Sequence, residues 1–202
     1  MPSGASVDAA AVVARTLDAA IAIHQQVRER GVDATARAAM AIADALAAGH
    51  KVLAFGNGGS AADAQHFAAE LVGRFAKERS GMAALALTTD SSVLTSVAND
   101  YGFDRVFARQ VEGLGKGGDV VLAISTSGRS PNVMAGLDAA RHAGLTTIAL
   151  TGGDGGAIGA AADIHVNVPD PIAARAQEVH RTLLHAICEI VESSLAPKDR
   201  DT

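Results

Sequence analysis

A histidine and a glutamate four residues apart are the pair with the clearest chemical potential in this sequence. His66 and Glu70 follow a glycine-rich turn, and a four-residue spacing places both side chains on one face of a helix. An imidazole and a carboxylate so arranged can move protons on a substrate or bind a metal ion. A solvated polar face explains many such pairs, and the position just after the turn is what favours a functional site.

The turn before this pair has the sequence Gly-Asn-Gly-Gly-Ser at residues 56–60, between an apolar strand-like run and a helical stretch. A strand, a glycine turn and a helix N-terminus form the local geometry in which backbone N–H groups bind phosphate. The spacing is neither the G-x-G-x-x-G of a dinucleotide site nor the Gly-Lys-Ser/Thr ending of a P-loop. The alternative is that the glycines only allow a tight turn.

A second polar loop, Ser-Thr-Ser-Gly-Arg-Ser at residues 125–130, follows another apolar run and precedes a helix that Pro131 can begin. Hydroxyls around one glycine at a helix N-terminus form a neutral anion site that is rich in hydrogen-bond donors. Any one of them could instead cap the helix, but several together favour a ligand. Two such loops on one sheet suit a sugar phosphate.

The final helical stretch contributes Gln177, Glu178, His180 and His185. At about 100° per residue, Glu178 and His185 lie on nearly one face, whereas Gln177 is rotated by about 80° from His185. Spacing alone does not choose between the two histidines. Both could equally be core residues in a mostly apolar helix.

Two other polar features have structural explanations of at least equal weight. Asn99 and Asp100 form a polar turn, for which an N-cap is as good an explanation as a ligand contact. Cys188 lies in an apolar helical stretch, where a buried and inert thiol is expected. As the only cysteine of the chain, it excludes an intramolecular disulfide and fits a reducing compartment.

The elements that must position these groups alternate between strand and helix from residue 51 onward, which indicates a parallel sheet covered on both faces. The predicted strands are residues 52–55, 83–87, 120–125, 147–150 and 164–168. The predicted helices are residues 60–72, 91–97, 104–114, 130–142, 155–161 and 172–195. Two earlier helices, at 7–28 and 34–48, are separated by a break at residues 31–33 and serve for packing or oligomerisation.

Length and composition set the remaining expectations. A chain of 202 residues fits one domain, with N-terminal helices in residues 1–49 and an α/β core with the final helix in residues 50–196. A net charge of −5 and only 3% aromatic residues argue against nucleic-acid binding. The chain lacks an apolar run of about 18 residues and a secretory leader. We therefore expect a cytoplasmic protein that does not bind membranes.

These motifs, in this order, resemble the SIS-domain family and, within it, the phosphoheptose isomerases, also called sedoheptulose 7-phosphate isomerases. The resemblance covers about residues 50–192. It rests on the turn at 56–60, His-Phe-x-x-Glu-Leu-x-Gly-Arg at 66–74, Asn-Asp at 99–100, Ser-Thr-Ser-Gly-x-Ser at 125–130, and Gln-Glu-x-His with a second His at 177–185. It implies an α/β three-layer sandwich of flavodoxin-like type with a five-stranded parallel sheet.

The resemblance also implies a role for each matching residue. Those that would bind substrate are Asn57, Gly58, Gly59, Ser60, Glu70, Arg74, Asn99, Asp100, Ser125, Thr126, Ser127, Ser130 and Gln177. Those that would bind one labile Zn²⁺ per subunit are His66, Glu70, Gln177 and His185, and the acid/base pair would be Glu70 and His185. The loop at 125–130 would hold the phosphate. The implied assembly is a homotetramer with active sites between subunits. Arg74 would then reach the substrate of a neighbouring subunit. In such an assembly, Gln177 and His185 need not converge within one chain.

The implied activity converts D-sedoheptulose 7-phosphate to D-glycero-D-manno-heptose 7-phosphate through an enediol. Two alternatives stay open. One is a non-catalytic scaffold, because residues 61–67 and 88–90 also resemble the DnaA initiator-associating protein, which lacks the complete acid/base pair. The other is an isomerase of a different sugar phosphate. Ala174 stands where the family often has an acidic residue, which puts one polar substrate contact in doubt.

Overall fold

Two long helices begin the part of the chain, residues 7–195, that is described by a computed structural model. They are α1 (Ala9–Arg30) and α2 (Val32–Ala47). The predicted break between them narrows to Gly31, because Val32 already belongs to α2. Residues 1–6 and 196–202, which include the predicted end of the core at residue 196, lie outside the described residues, and the single-domain division stays a prediction.

The α/β part follows directly after α2. Its elements are β1 (Val52–Gly56), α3 (Gly59–Val72), β2 (Ala84–Ala86), α4 (Ser91–Tyr101), a 3₁₀ turn (Phe103–Arg105), α5 (Val106–Leu114), β3 (Val120–Ser125), α6 (Pro131–His142), β4 (Thr146–Gly152), α7 (Gly156–Ala161), β5 (Ile164–Val168) and α8 (Ala173–Leu195). The predicted strands and helices are confirmed in order and kind. The largest difference in bounds is at α4, which was predicted to end at residue 97 and continues to Tyr101. Gly102 ends it with a φ of +87°, a left-handed conformation that favours glycine.

The strands form one parallel sheet in the order β2-β1-β3-β4-β5. The order reverses between β1 and β3, since the chain first moves outward to β2 and then returns to the other side of β1. Open α/β sheets bind ligands outside the carboxyl ends of the strands at such a reversal. The turn at 56–60 follows β1 and the loop at 125–130 follows β3, so both candidate loops lie at this position.

Strand alternation divides the core into two layers. Val52 and Ala54 of β1 pack among residues of α2, α3 and α8, whereas Leu53 and Phe55 pack among residues of α5, α6 and α7. The Phe55 ring stacks on the Phe107 ring of α5 with 4.9 Å between centroids. The sheet therefore lies between two helical layers, which confirms the predicted three-layer sandwich. Within residues 7–195, no helix is both long and apolar enough to cross a membrane.

His180 on α8 is completely buried in this core. Its Nε2 donates a hydrogen bond to the carbonyl oxygen of Thr151 at 2.9 Å, and its Nδ1 has no hydrogen-bond partner among the described residues. Burial lowers the pKa of His180, because water no longer stabilises the imidazolium form. This histidine is therefore a neutral core residue at physiological pH.

Acid should destabilise the fold through His180. The unfolded chain binds a proton at the ordinary histidine pKa of about 6.5, and the folded chain does so only at lower pH. The contribution of His180 to the free energy of unfolding is therefore complete above the ordinary histidine pKa, and it is lost as pH falls below that value. In urea unfolding at about pH 7.5 and about pH 5.5, we expect His180→Gln to lose less stability than the wild type between the two conditions. The exposed-site control His142→Gln should lose as much as the wild type, and an equal loss in His180→Gln contradicts the assignment.

Candidate active site

The turn at 56–60 is shaped by close packing on both sides. A Cβ at Gly56 would lie 2.7 Å from the carbonyl oxygen of Ile124 in β3, and a Cβ at Gly59 would overlap the side-chain amide of Gln177. Ser60, in the first turn of α3, is buried. The glycines therefore do more than permit a tight turn, because they bring β1, β3 and α8 together at one place.

A pair of amides joins the two candidate loops. Asn57 Nδ2 donates to Asn132 Oδ1 at 2.8 Å, and Asn132 Nδ2 donates back to Asn57 Oδ1 at 2.9 Å. Asn132 is buried at the start of α6, just after the serine-rich loop. The reciprocal pairing fixes the Gly-Asn-Gly-Gly-Ser turn relative to the loop at 125–130.

The hydroxyls of the loop at 125–130 converge. Ser125 Oγ lies 3.2 Å from Ser130 Oγ and 3.5 Å from Ser127 Oγ. Ser130 is the N-cap residue of α6, yet its side chain makes no capping hydrogen bond, and Pro131 begins the helix as predicted. Helix capping therefore does not account for the Ser130 hydroxyl. The cluster presents neutral donors at a helix N-terminus, which is a favourable place for an anion.

Arg129, the arginine of this loop, forms an ion pair with Asp154. Arg129 donates to both carboxylate oxygens of Asp154, at 2.9 and 2.6 Å, and both side chains are exposed. The hydrogen bond from Arg129 lowers the pKa of Asp154 from its ordinary value. The Gly128 carbonyl oxygen accepts a further bond from the Ile158 N–H at 3.0 Å. The loop is thus tied to the segment that follows β4.

The two histidines predicted to act with Glu70 come together in one chain. His66 Nε2 lies 2.7 Å from His185 Nε2 and 3.5 Å from Glu70 Oε1. All three side chains are partly buried. His66 and Glu70 are one turn apart on α3 as the spacing predicts, and the packing of α8 against α3 brings in His185 from the far end of the sequence. Convergence of His185 with the pair therefore needs no second subunit.

This cluster has a donor set that suits zinc. One ligand atom from each of His66, Glu70 and His185 lies within 4.8 Å of the others. Two imidazoles with one carboxylate are the three protein ligands of a known type of catalytic zinc site, in which the fourth position is open. The residues present therefore fit a zinc ion, with His66, Glu70 and His185 as three of the four side chains that the resemblance implies.

Gln177 lies in the adjoining cavity. This cavity has a volume of about 650 Å³, and Gly59, Asp63, Gln177, Arg181 and His185 are among its lining residues. Buried Asp63 accepts a hydrogen bond from Arg181 Nη2 at 2.5 Å. Although Gln177 is two turns from His185 and rotated on the helix, both side chains face the same space.

Three of the candidate residues lie apart from this cluster. Asn99 and Asp100 are exposed in the last turn of α4, and Asn99 Nδ2 donates to Asp100 Oδ1 at 2.8 Å. The structure therefore places them at a helix end, whereas the sequence predicted a turn before a helix. Arg74 is exposed just after α3, where its nearest acidic partner is Glu78 at 3.7 Å. Within the described residues, these side chains form hydrogen bonds or ion pairs only with near neighbours.

Cys188 is buried one turn after His185, as predicted. Burial, together with the nearby Glu70 carboxylate, raises the pKa of its thiol to about 12. A thiol with such a pKa is not a nucleophile at physiological pH. Cys188 is therefore a packing residue beside the site.

Sequence reasoning missed two residues near the reacting groups. The Phe75 ring lies 5.7 Å from the His185 ring between centroids. Asn132 binds Asn57, as described above. Asn132 had a local signal, since it comes two residues after the serine-rich loop, but nothing local marks Phe75.

A parallel sheet with two polar loops at its strand reversal has the architecture of the α/β proteins that bind small ligands at this edge of the sheet. The family model of the SIS domain matches residues 17–152, so the chain belongs to the SIS domain family. It is 56% identical over 156 residues to the phosphoheptose isomerase of Geobacter sulfurreducens. The aligned region covers 77% of this chain and 82% of that protein. Within the SIS domain family, the chain belongs to the phosphoheptose isomerases.

Solved structures agree with this placement. The phosphoheptose isomerase of Neisseria gonorrhoeae matches 90% of this chain and 97% of its own, with a TM-score of 0.85 and 48% identity. That of Francisella tularensis matches 93% of this chain and 100% of its own, with a TM-score of 0.89 and 36% identity. Both similarities extend over at least nine-tenths of this chain.

Proposed function

We propose that this protein is a phosphoheptose isomerase, which converts D-sedoheptulose 7-phosphate to D-glycero-D-manno-heptose 7-phosphate. The observation that carries the proposal is the convergence of Glu70 and His185 with His66, in a chain 56% identical to a phosphoheptose isomerase. A non-catalytic scaffold has no need of such a pair. The protein is therefore an enzyme rather than a scaffold.

The proposed reaction moves a proton between C1 and C2 of the sugar. The carboxylate of Glu70 removes a proton from C1 of the ketose while the imidazole of His185 donates one to the C2 oxygen, which gives an enediol. Glu70 then returns the proton to C2, and His185 takes the proton of the C1 hydroxyl, so that the aldose forms and both groups are restored. Acid and base contributions of this type are each worth about 10²–10⁴-fold in rate.

The serine-rich loop and the glycine turn hold the two ends of the substrate in this proposal. Ser125, Thr126, Ser127 and Ser130 bind the phosphate, and Asn57, Gly58, Gly59, Ser60 and Gln177 contact the sugar. A Zn²⁺ ion bound by His66, Glu70 and His185, with Gln177 as a further ligand, would supply Lewis-acid stabilisation of negative charge on the sugar oxygens. Because an amide oxygen is a weak ligand, we propose that the ion is labile.

We further propose a cytoplasmic homotetramer with active sites between subunits. Its support is the surface of α1, where Val12, Val13, Leu17 and Ile21 are 41–59% exposed. An apolar strip of this kind is typical of an interface. In such an assembly, the exposed Arg74 and the exposed Asn99 and Asp100 contact the substrate of a neighbouring subunit.

The experiment that tests the function follows aldose formation from D-sedoheptulose 7-phosphate by the purified protein. Unphosphorylated sedoheptulose and a pentulose 5-phosphate are the comparison substrates. We expect the highest kcat/KM for sedoheptulose 7-phosphate and a large loss without the phosphate. A higher kcat/KM for the pentulose phosphate would instead identify an isomerase of another sugar phosphate. No turnover of any substrate, together with tight binding to the replication initiator, would establish the scaffold alternative.

A further inference from the structure

The carboxylate of Glu192 near the end of α8 is buried and organises the loop that follows α3. It accepts hydrogen bonds from the backbone N–H groups of Phe75 at 3.1 Å, Ala76 at 2.9 Å and Lys77 at 2.8 Å. Arg79 Nε donates a fourth bond at 3.1 Å. A buried carboxylate with this many donors fixes the backbone of the loop, because hydrogen bonds to an ionised acceptor are stronger than those between neutral groups.

Arg79 connects the same carboxylate to the end of α3. Its side chain is 4% exposed, and it donates to the carbonyl oxygens of Glu70 and Leu71, each at 2.9 Å. These carbonyls belong to the last turns of the helix, where no intrahelical donor is available. The ion pair of Arg79 and Glu192 therefore holds the C-terminal end of α3 against α8, at the residue that supplies the proposed base.

The loop in turn contacts the proposed acid. Phe75, whose N–H binds Glu192, places its ring 5.7 Å from the ring of His185, centroid to centroid. His185 and Glu192 are seven residues apart, so they lie on nearly one face of α8. One buried carboxylate thus constrains both members of the proposed acid/base pair, through a backbone carbonyl on α3 and an aromatic ring on the loop.

We propose that Glu192 is a positioning residue of the isomerase centre, which acts through Arg79 on Glu70 and through Phe75 on His185. For its effect on turnover the proposal rests on the proposed function. It also makes a claim about the metal-binding side chains that is independent of turnover. Outer residues that orient ligands typically change metal affinity or activity by about 10–100-fold when they are replaced.

The test compares Glu192→Gln with the matched control Glu189→Gln, which removes the same charge from the exposed side of the same helix. We expect kcat for sedoheptulose 7-phosphate to fall by about 10–100-fold in Glu192→Gln, with a much smaller change in KM, since the phosphate loop is untouched. Titration with Co²⁺, followed by its visible absorption, should show a weaker affinity by a similar factor. The control should match the wild type in both measurements.

A second variant, Phe75→Leu, leaves the buried ion pair in place and removes only the ring against His185. It should lower kcat and Co²⁺ affinity in the same direction by a smaller factor, and it decides the question if Glu192→Gln does not fold. Folded variants with wild-type kcat and wild-type Co²⁺ affinity overturn the proposal. A wild type that binds Co²⁺ but isomerises no sugar phosphate overturns the proposed function alone, and the Co²⁺ affinities then still test the positioning.

Discussion

Glu70→Gln and His185→Gln should each lower kcat for isomerisation of sedoheptulose 7-phosphate by about 10²–10⁴-fold. Glutamine nearly matches glutamate in shape, but it cannot accept the C1 proton. At position 185 it cannot donate and recover a proton as imidazole does. KM should change much less in both variants, because the hydroxyl cluster at 125–130 is separate from the pair. The measurement is steady-state kinetics on variants whose folding is verified by circular dichroism.

Proton transfer through an enediol also makes an isotopic prediction. In D₂O, the wild type should place deuterium at C2 of the aldose, because the proton held on Glu70 exchanges with solvent before it returns. The controls Glu189→Gln and His142→Gln, which change exposed residues of the same types, should behave like the wild type. Full activity in either site variant would show that the acid/base assignment is wrong. Turnover without any deuterium in the product would show that the hydrogen passes from C1 to C2 without exchange with solvent, as it does in a direct hydride shift.

Removal of metal is the second change with a large expected effect. Protein purified in the presence of Zn²⁺ should contain about one zinc per subunit before treatment with a chelator. Treatment should reduce kcat by about 10²–10³-fold, since Lewis-acid stabilisation of a developing oxyanion is worth several kcal/mol. Added Zn²⁺ should restore activity. Metal analysis before and after treatment, beside the kinetics, makes the measurement quantitative.

Two variants separate the proposed ligands in this experiment. His66→Ala removes a member of the three-residue cluster and should abolish stoichiometric zinc binding. Gln177→Ala should only weaken it, because an amide oxygen contributes less than an imidazole. Full activity of chelated protein with no detectable zinc would show that the reaction needs only the side chains. Equal loss of zinc in both variants would instead make Gln177 a full ligand.

Local sequence patterns predicted most of the fold because this fold depends on local signals. Strands buried on both faces must be almost wholly apolar, as β1 is and as β3 is up to Ile124, and the glycines and prolines that end elements are visible in the sequence. The α3 pair was predictable for the same reason, since a four-residue spacing fixes which helical face His66 and Glu70 share. Only the bounds of α4 differed much, because the polar pair at 99–100 is compatible with both a helix end and a turn.

Contacts between distant segments were not predictable from local patterns. The approach of His185 to His66 joins residues 119 positions apart and depends on how α8 packs on α3. The spacing within α8 did not indicate whether His180 or His185 belongs to the candidate site. The structure distinguishes them by packing, because His180 is buried in the core and His185 lies beside His66. The bonds from Glu192 to the loop after α3 span more than a hundred residues and have no motif.

The hydroxyls proposed to bind phosphate and the groups proposed to react belong to different kinds of element. The hydroxyls lie at the end of β3 and in the loop that follows it, whereas His66, Glu70 and His185 stand on the faces of helices. Substitution of one or two helical side chains can therefore end the chemistry and leave the anion loop intact. A duplicated gene for such a protein has a short mutational route from a catalyst to a receptor for the same ligand.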